Sequence, residues 1–173
     1  FQKFDEIIEG HFIEKIKTIG DAYMCAGGLP LTNKSNPIDI TIAGLKIQKF
    51  IKEYGDQKRA NNQDAWQLRV GIHTGEVIAG VIGKKKFAYD IWGDAVNRAA
   101  RMEQLGQIGR VNVSGVTYEY IKDFFDCTYR GKIEVKNSDE LDMYFVNRLK
   151  PEYSDDTEGT EPNAEFLKIL AKY

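Results

Sequence analysis

Phe87-Ala-Tyr-Asp-Ile-Trp-Gly-Asp-Ala-Val-Asn-Arg-Ala-Ala-Arg-Met102 is the stretch on which the reading of this chain turns. Gly93 opens a helix that runs from Asp94 to Leu105 and is stopped by Gly106. Ala95, Ala99 and Met102 form its packing stripe. Asn97 and Arg101 stand four residues apart, on one face nearly opposite that stripe. Such a pair is either an ordinary solvated face or a rigid fork of hydrogen-bond donors turned toward a phosphate ester, and spacing does not choose. Asp90 precedes the apolar pair Ile91-Trp92 and reads as the start of a turn.

Upstream, Phe1, Phe4, Ile7 and Ile8 share one face of a helix that Gly10 ends, so the sequence opens inside an element. Two extended stretches follow, Phe12 to Ile19 and Ala22 to Ala26, joined by Gly20-Asp21 as a tight hairpin. Alternation on the first is imperfect, because Lys15 and Lys17 share a face with Ile13 and Ile19. Asn36 and Pro37 suit the cap and first residue of a helix whose stripe runs Ile40, Ala43, Gly44, Ile47, Phe50, Ile51 and Tyr54. Gly55 to Asp64 reads as a loop. Gln67 to His73 and Val77 to Ile82 suggest a second hairpin about Thr74-Gly75, with Lys84-Lys85-Lys86 as a solvated turn. Downstream come a short strand (Arg110 to Val113), a short helix (Val116 to Ile121) and two further strands (Asp126 to Val135, Met143 to Asn147). This order predicts an α+β domain with an antiparallel or mixed sheet and helices on one face. It occupies residues 1–149. The remainder, 150–173, reads as a polar, acidic, mobile tail with a short helix after Asn163.

Composition narrows the function classes. The chain has 173 residues, a length suited to one domain, and Lys plus Arg (24) fall short of Asp plus Glu (26). A nucleic-acid footprint needs a basic excess, and an RNA-binding ferredoxin-like sheet needs paired aromatics on its central strands; neither is apparent. No run approaches the length of a bilayer span, and no signal peptide is visible. Cys25 and Cys127 read as small buried thiols of a reducing compartment. His11 and His73 are too few and too distant for a histidine metal site.

Taken singly, Lys17 is a solvated strand lysine and Asp21 a turn residue. In combination, Glu14-Lys-Ile-Lys-Thr-Ile-Gly-Asp-Ala-Tyr-Met24, Arg69-Val-Gly-Ile-His-Thr-Gly75 and Phe87 to Met102 resemble, in order, the class III nucleotide cyclase catalytic domain over about residues 1–149. The resemblance implies a ferredoxin-like core and a homodimer with active sites at its interface. It implies two divalent ions, Mg or Mn, of which Asp21 would hold part, as hard oxygen ligands suit such ions. Lys17 and Asp90 match the pair that reads the purine: an ammonium donates to adenine N1, and a carboxylate accepts from the N6 amino group. Guanylyl cyclases typically carry Glu and Cys there, so ATP is the implied substrate and cyclic AMP the product, in a signalling role. Asn97 would orient the ribose, Arg101 would stabilise charge on the α-phosphate, and Lys136 would contact the outer phosphates. After Lys136 the chain reads Asn-Ser-Asp-Glu, where relatives often have Gly-Lys-Gly.

The family's first metal aspartate, in a Phe-x-Asp-x-x-Gly-Phe-type motif on an initial central strand, has no counterpart in this sequence. The chain as given is therefore expected to be inactive or weakly active, with a sheet edge exposed, while its parent is a cyclase with regulatory domains upstream and its catalytic part in the cytoplasm. A guanylyl cyclase, or a catalytically silent module that only dimerises, are the alternatives.

Overall fold

The computed structural model describes residues 1–135 and 139–173; Lys136 lies outside the described residues. A mixed sheet carries the core. Its four strands lie in the order β3 (Val70–Ile72), β6 (Val111–Ser114), β8 (Asp139–Leu149), β7 (Phe125–Val135). β3 runs parallel to β6, pairing Gly71 with Asn112, and the other neighbours are antiparallel. Two separate hairpins complete the strands: β1 (Ile13–Ile19) with β2 (Ala22–Gly27), and β4 (Ile78–Ile82) with β5 (Ala88–Trp92). The helices are α1 (Gln2–Glu9), α2 (Asn36–Ala60), α3 (Asp94–Gln104), α4 (Gly115–Ile121) and α5 (Ala164–Leu170). The α+β class with a mixed sheet is thus as the sequence predicts.

Strand alternation decides which helix lies where. Val111 and Val113 of β6 face a cluster built with Ile38, Ile42 and Leu45 of α2, Ile121 of α4 and Phe166 of α5. Fully burying each such aliphatic side chain stabilises the fold by about 1.5–3 kcal/mol. Asn112, between the two valines, must point to the opposite face, and there it meets Met102 of α3. The expected one-faced arrangement therefore holds for α2, α4 and α5 and fails for α3. Gly71 explains how α3 lies so close: a Cβ at that position would sit 2.0 Å from the backbone nitrogen of Glu103.

Other expectations change as well. The segments at 67–73 and 77–82 do not form a hairpin with each other. β3 instead pairs with a distant strand, a non-local parallel contact that no turn signal announces. β4 pairs with residues 88–92, so Asp90 lies within a strand, and the turn falls at Gly83 (φ 113°) and the three lysines. α2 continues through Gly55 to Ala60, helped by good helix formers and by Lys58 and Arg59 at its negative end. The segment after Lys150 is packed rather than mobile: Phe166 is fully buried and Leu149 N–H donates to Gly159 O at 2.8 Å. The short terminal helix is present as α5. Among the described residues no helix is long and apolar enough to cross a membrane.

Candidate active site

β1 and β5 come together at Lys17 and Asp90. The register of β1 against β2 slips between Lys15 and Lys17, a bulge that accounts for the broken alternation in the sequence and re-aims Lys17. Lys17 Nζ donates to Asp90 Oδ2 at 2.8 Å. The two ends of this pair differ in exposure: the Lys17 side chain is 41% exposed and that of Asp90 only 12%. Asp90 Oδ1 also accepts the Ile91 N–H at 2.8 Å. The Lys17 ammonium first, and then that N–H, hold the Asp90 carboxyl below its usual range. An ion pair this open contributes little to stability, so its value lies in presenting a cation and a fixed carboxylate side by side.

Gly93, at φ 134° where a side chain would be strained, turns β5 directly into α3. Ala95 and Met102 are buried beneath α3, which leaves Asn97 and Arg101 on its exposed side. The Asn97 side chain has no hydrogen bond to a described residue, and the Arg101 side chain has one long contact, Nη1 to Gln104 Oε1 at 3.4 Å. Both are therefore available to a ligand. Asp21 stands exposed on the β1–β2 turn beside Gly20 (φ 60°) and is without a hydrogen-bond partner among the described residues. Among the described residues no group of three or more His, Cys, Asp or Glu side chains lies together as a metal cage. A single exposed carboxylate such as that of Asp21 can hold Mg or Mn only where substrate phosphates and waters supply the other oxygens. The structure joins Lys17 to Asp90; it shows no direct contact of that pair with Asn97, Arg101 or Asp21.

One part-buried network goes beyond the sequence reading, in which Thr74-Gly75 is a turn and Arg69 to Gly75 a stretch carrying the family resemblance. His73 Nδ1 lies 2.7 Å from Ser114 Oγ, the cap of α4, and Thr74 Oγ1 lies 3.0 Å from Thr117 Oγ1. Burial first, then Arg98, pushes the His73 imidazole below its usual range, so it stays neutral at physiological pH. A Cβ on Gly75 would sit 3.0 Å from Ala95 Cβ, so this loop is held against the first turn of α3. Only a Gly after His-Thr hints at it.

Known proteins resemble this chain in sequence and fold. The adenylate and guanylate cyclase catalytic domain family matches residues 1–148. An adenylate cyclase of Mycobacterium tuberculosis is 35% identical over 163 residues, 94% of this chain, and the chain spans 36% of that protein's length. The guanylate cyclase domain of RhGC from Catenaria anguillulae, solved in complex with GTP, superposes with a TM-score of 0.78 at 31% identity, over 86% of this chain and 80% of that one. The adenylyl cyclase CyaB from P. aeruginosa gives 0.79 at 28% identity, over 87% and 79%. Both nucleotide specificities thus occur among its relatives, and the chain, with its class III cyclase fold, belongs to the adenylate and guanylate cyclase catalytic domain family.

Proposed function

We propose that this chain is the catalytic domain of an adenylyl cyclase, converting ATP to cyclic AMP and pyrophosphate. The observation that carries the reading is the Lys17–Asp90 pair at 2.8 Å, with the carboxylate nearly buried. Adenine offers an acceptor at N1 beside a donor at N6, which an ammonium and a carboxylate complement. Guanine offers a donor at N1 beside an acceptor at O6, so the same two groups would each meet their own kind. Mismatched polar groups at a partly buried edge are a strong basis for rejection.

The remaining assignments follow the chemistry of an intramolecular phosphoryl transfer. The ribose 3′-oxygen attacks the α-phosphorus, and the bond to the bridging oxygen of pyrophosphate breaks. Asn97 orients the ribose, and Arg101, one turn further along the same exposed face, stabilises the negative charge that grows on the α-phosphate oxygens. Lys136, from the sequence alone, contacts the outer phosphates. Asp21 is one carboxylate ligand for Mg or Mn, which when bound supplies a more acidic 3′-hydroxyl and neutralises triphosphate charge. Two such ions need a further carboxylate besides Asp21. The working unit is a homodimer with sites at its interface. In support, the β4–β5 hairpin exposes Ile78 (73%), Val81 (65%) and Phe87 (76%), an apolar surface out of keeping with a free monomer.

The deciding experiment offers ATP and GTP, separately and in competition, to the full-length protein with Mn or Mg. Cyclic AMP should dominate. Cyclic GMP as the main product would reverse the specificity assignment, and no cyclic product with either nucleotide would leave a silent dimerisation module.

A further inference from the structure

Three positions of the sheet grip the last turn of α3. Gly71 of β3 lets the backbone at Met102 and Glu103 descend onto the strand, where a Cβ would meet it at 2.0–2.5 Å. Asn112 of β6, fully buried, donates from Nδ2 to Met102 O at 2.8 Å. Arg130 of β7 donates from Nη1 to Leu105 O at 2.8 Å and to Asn112 Oδ1 at 3.0 Å. The helix itself leaves these carbonyls free, since Leu105 N–H returns to Arg101 O and Gly106 N–H to Glu103 O. Arg130 is in turn held by Phe145, whose ring centroid lies 3.9 Å from its guanidinium carbon. Its positive charge also suits the negative end of α3.

We infer that Asn112 and Arg130 are positioning residues for Arg101, fixing the height and rotation of the turn from which its guanidinium reaches the substrate. Arg101 immediately precedes Met102, its side chain is exposed, and its one described contact is long. Among the described residues that long contact to Gln104 is the one hydrogen bond at its tip, so the backbone sets its place. A buried amide and a stacked guanidinium, each spent on a helix-end carbonyl, supply a rigid mount where an unclamped last turn would fray. The inference rests on the role proposed for Arg101 above.

The test uses Asn112→Leu and Arg130→Met in the full-length protein, with Arg110→Met as matched control. Arg110 approaches the same Phe145 ring at 4.5 Å and bonds Asn147, but its side chain has no described contact with α3. Turnover per folded molecule and amide hydrogen exchange across residues 101–105 are measured together. The two clamp variants should lose about 10- to 100-fold in kcat, as expected for a small misplacement of a transition-state group. Their KM should stay within about threefold, and exchange in 101–105 should quicken while β6 and β8 stay protected. Arg110→Met should match the parent on every count. Undiminished kcat in the clamp variants, or an equal loss in Arg110→Met, overturns the inference. If the parent makes no cyclic nucleotide, the proposed function falls instead, and exchange alone then decides: unchanged protection in 101–105 removes the clamp, and selective loss there retains it.

Discussion

A cation and a carboxylate 2.8 Å apart would ordinarily count as one more surface ion pair, and the difference in their burial is what sets Lys17 and Asp90 apart. Asp90 is fixed by its strand, by Ile91 N–H and by Lys17, whereas the lysine keeps part of its ammonium toward solvent. Because the Asp90 pKa is lowered in the fold, its contribution is present above the ordinary carboxylate range and is lost only as the pH falls through the depressed value. Nucleotide affinity should therefore be flat near neutral pH as far as Asp90 is concerned. Exchanging both residues, Lys17→Glu with Asp90→Cys, replaces a donor by an acceptor against the base and removes the fixed negative charge. The ratio of kcat/KM for GTP over ATP should then rise by about 100-fold or more, the order of discrimination that correctly paired polar groups provide. A double variant that still prefers ATP would detach the pair from base recognition. Neither residue could be valued from spacing, since Lys17 reaches Asp90 only through a bulge and across 73 positions of sequence.

Elements differed in how openly the sequence declared them, and the reason is the range of the contacts that shape each one. The β1–β2 hairpin turns on Gly20-Asp21, and the apolar stripe of α2 recurs at helical spacing, so both are local and legible. The β3–β6 pairing and the seat of α3 on the second face depend on Gly71 meeting a helix some thirty residues later, which no window of sequence reveals. The final segment is the clearest case: its acidic composition suggested mobility, yet the charges are spent on α2. Glu161 pairs with Lys46 at 2.8 Å, and Asp156 and Glu158 pair with Lys49 at 3.2 and 3.3 Å. Asp156 also accepts the N–H groups of Thr160 at 2.8 Å and Glu161 at 3.0 Å. Burial alone would raise its carboxyl, but these donors, the Thr160 hydroxyl and Lys49 together hold it well below the usual range. The strap therefore gains stability above pH 3.8, the ordinary value for an aspartate, and loses it as the pH falls further. Asp156→Ala should cost about 1–3 kcal/mol at neutral pH, the usual worth of hydrogen bonds to a charged group. Chemical denaturation would measure it. A loss within about 0.5 kcal/mol, the range of an inert surface change, would mean the carboxylate is not what fastens the strap.

At the scale of the whole molecule, the proposed site residues do not all meet within one chain among the described residues. Lys17 meets Asp90, and α3 follows β5 through Gly93, but Asp21 stands apart on its turn with no described partner. In a symmetric dimer the same surfaces occur twice, so Asp21 of one copy can complete the set Lys17, Asp90, Asn97 and Arg101 of the other. This arrangement makes a quantitative prediction for mixtures. Asp21→Ala removes the proposed metal ligand and Arg101→Ala the proposed transition-state cation, and each homodimer should be nearly silent, the latter by about 100- to 1,000-fold in kcat. Random pairing of equal amounts gives half heterodimers, and each of these has one site carrying both lesions and one carrying neither. Activity should then return to about a quarter of the parent level, the fraction set by two-fold symmetry alone. Titrating one variant into the other and following cyclic AMP reads that fraction directly. If every ratio of the two stays silent, Asp21 and Arg101 act from the same chain, and the interfacial site is wrong even if the protein is a cyclase.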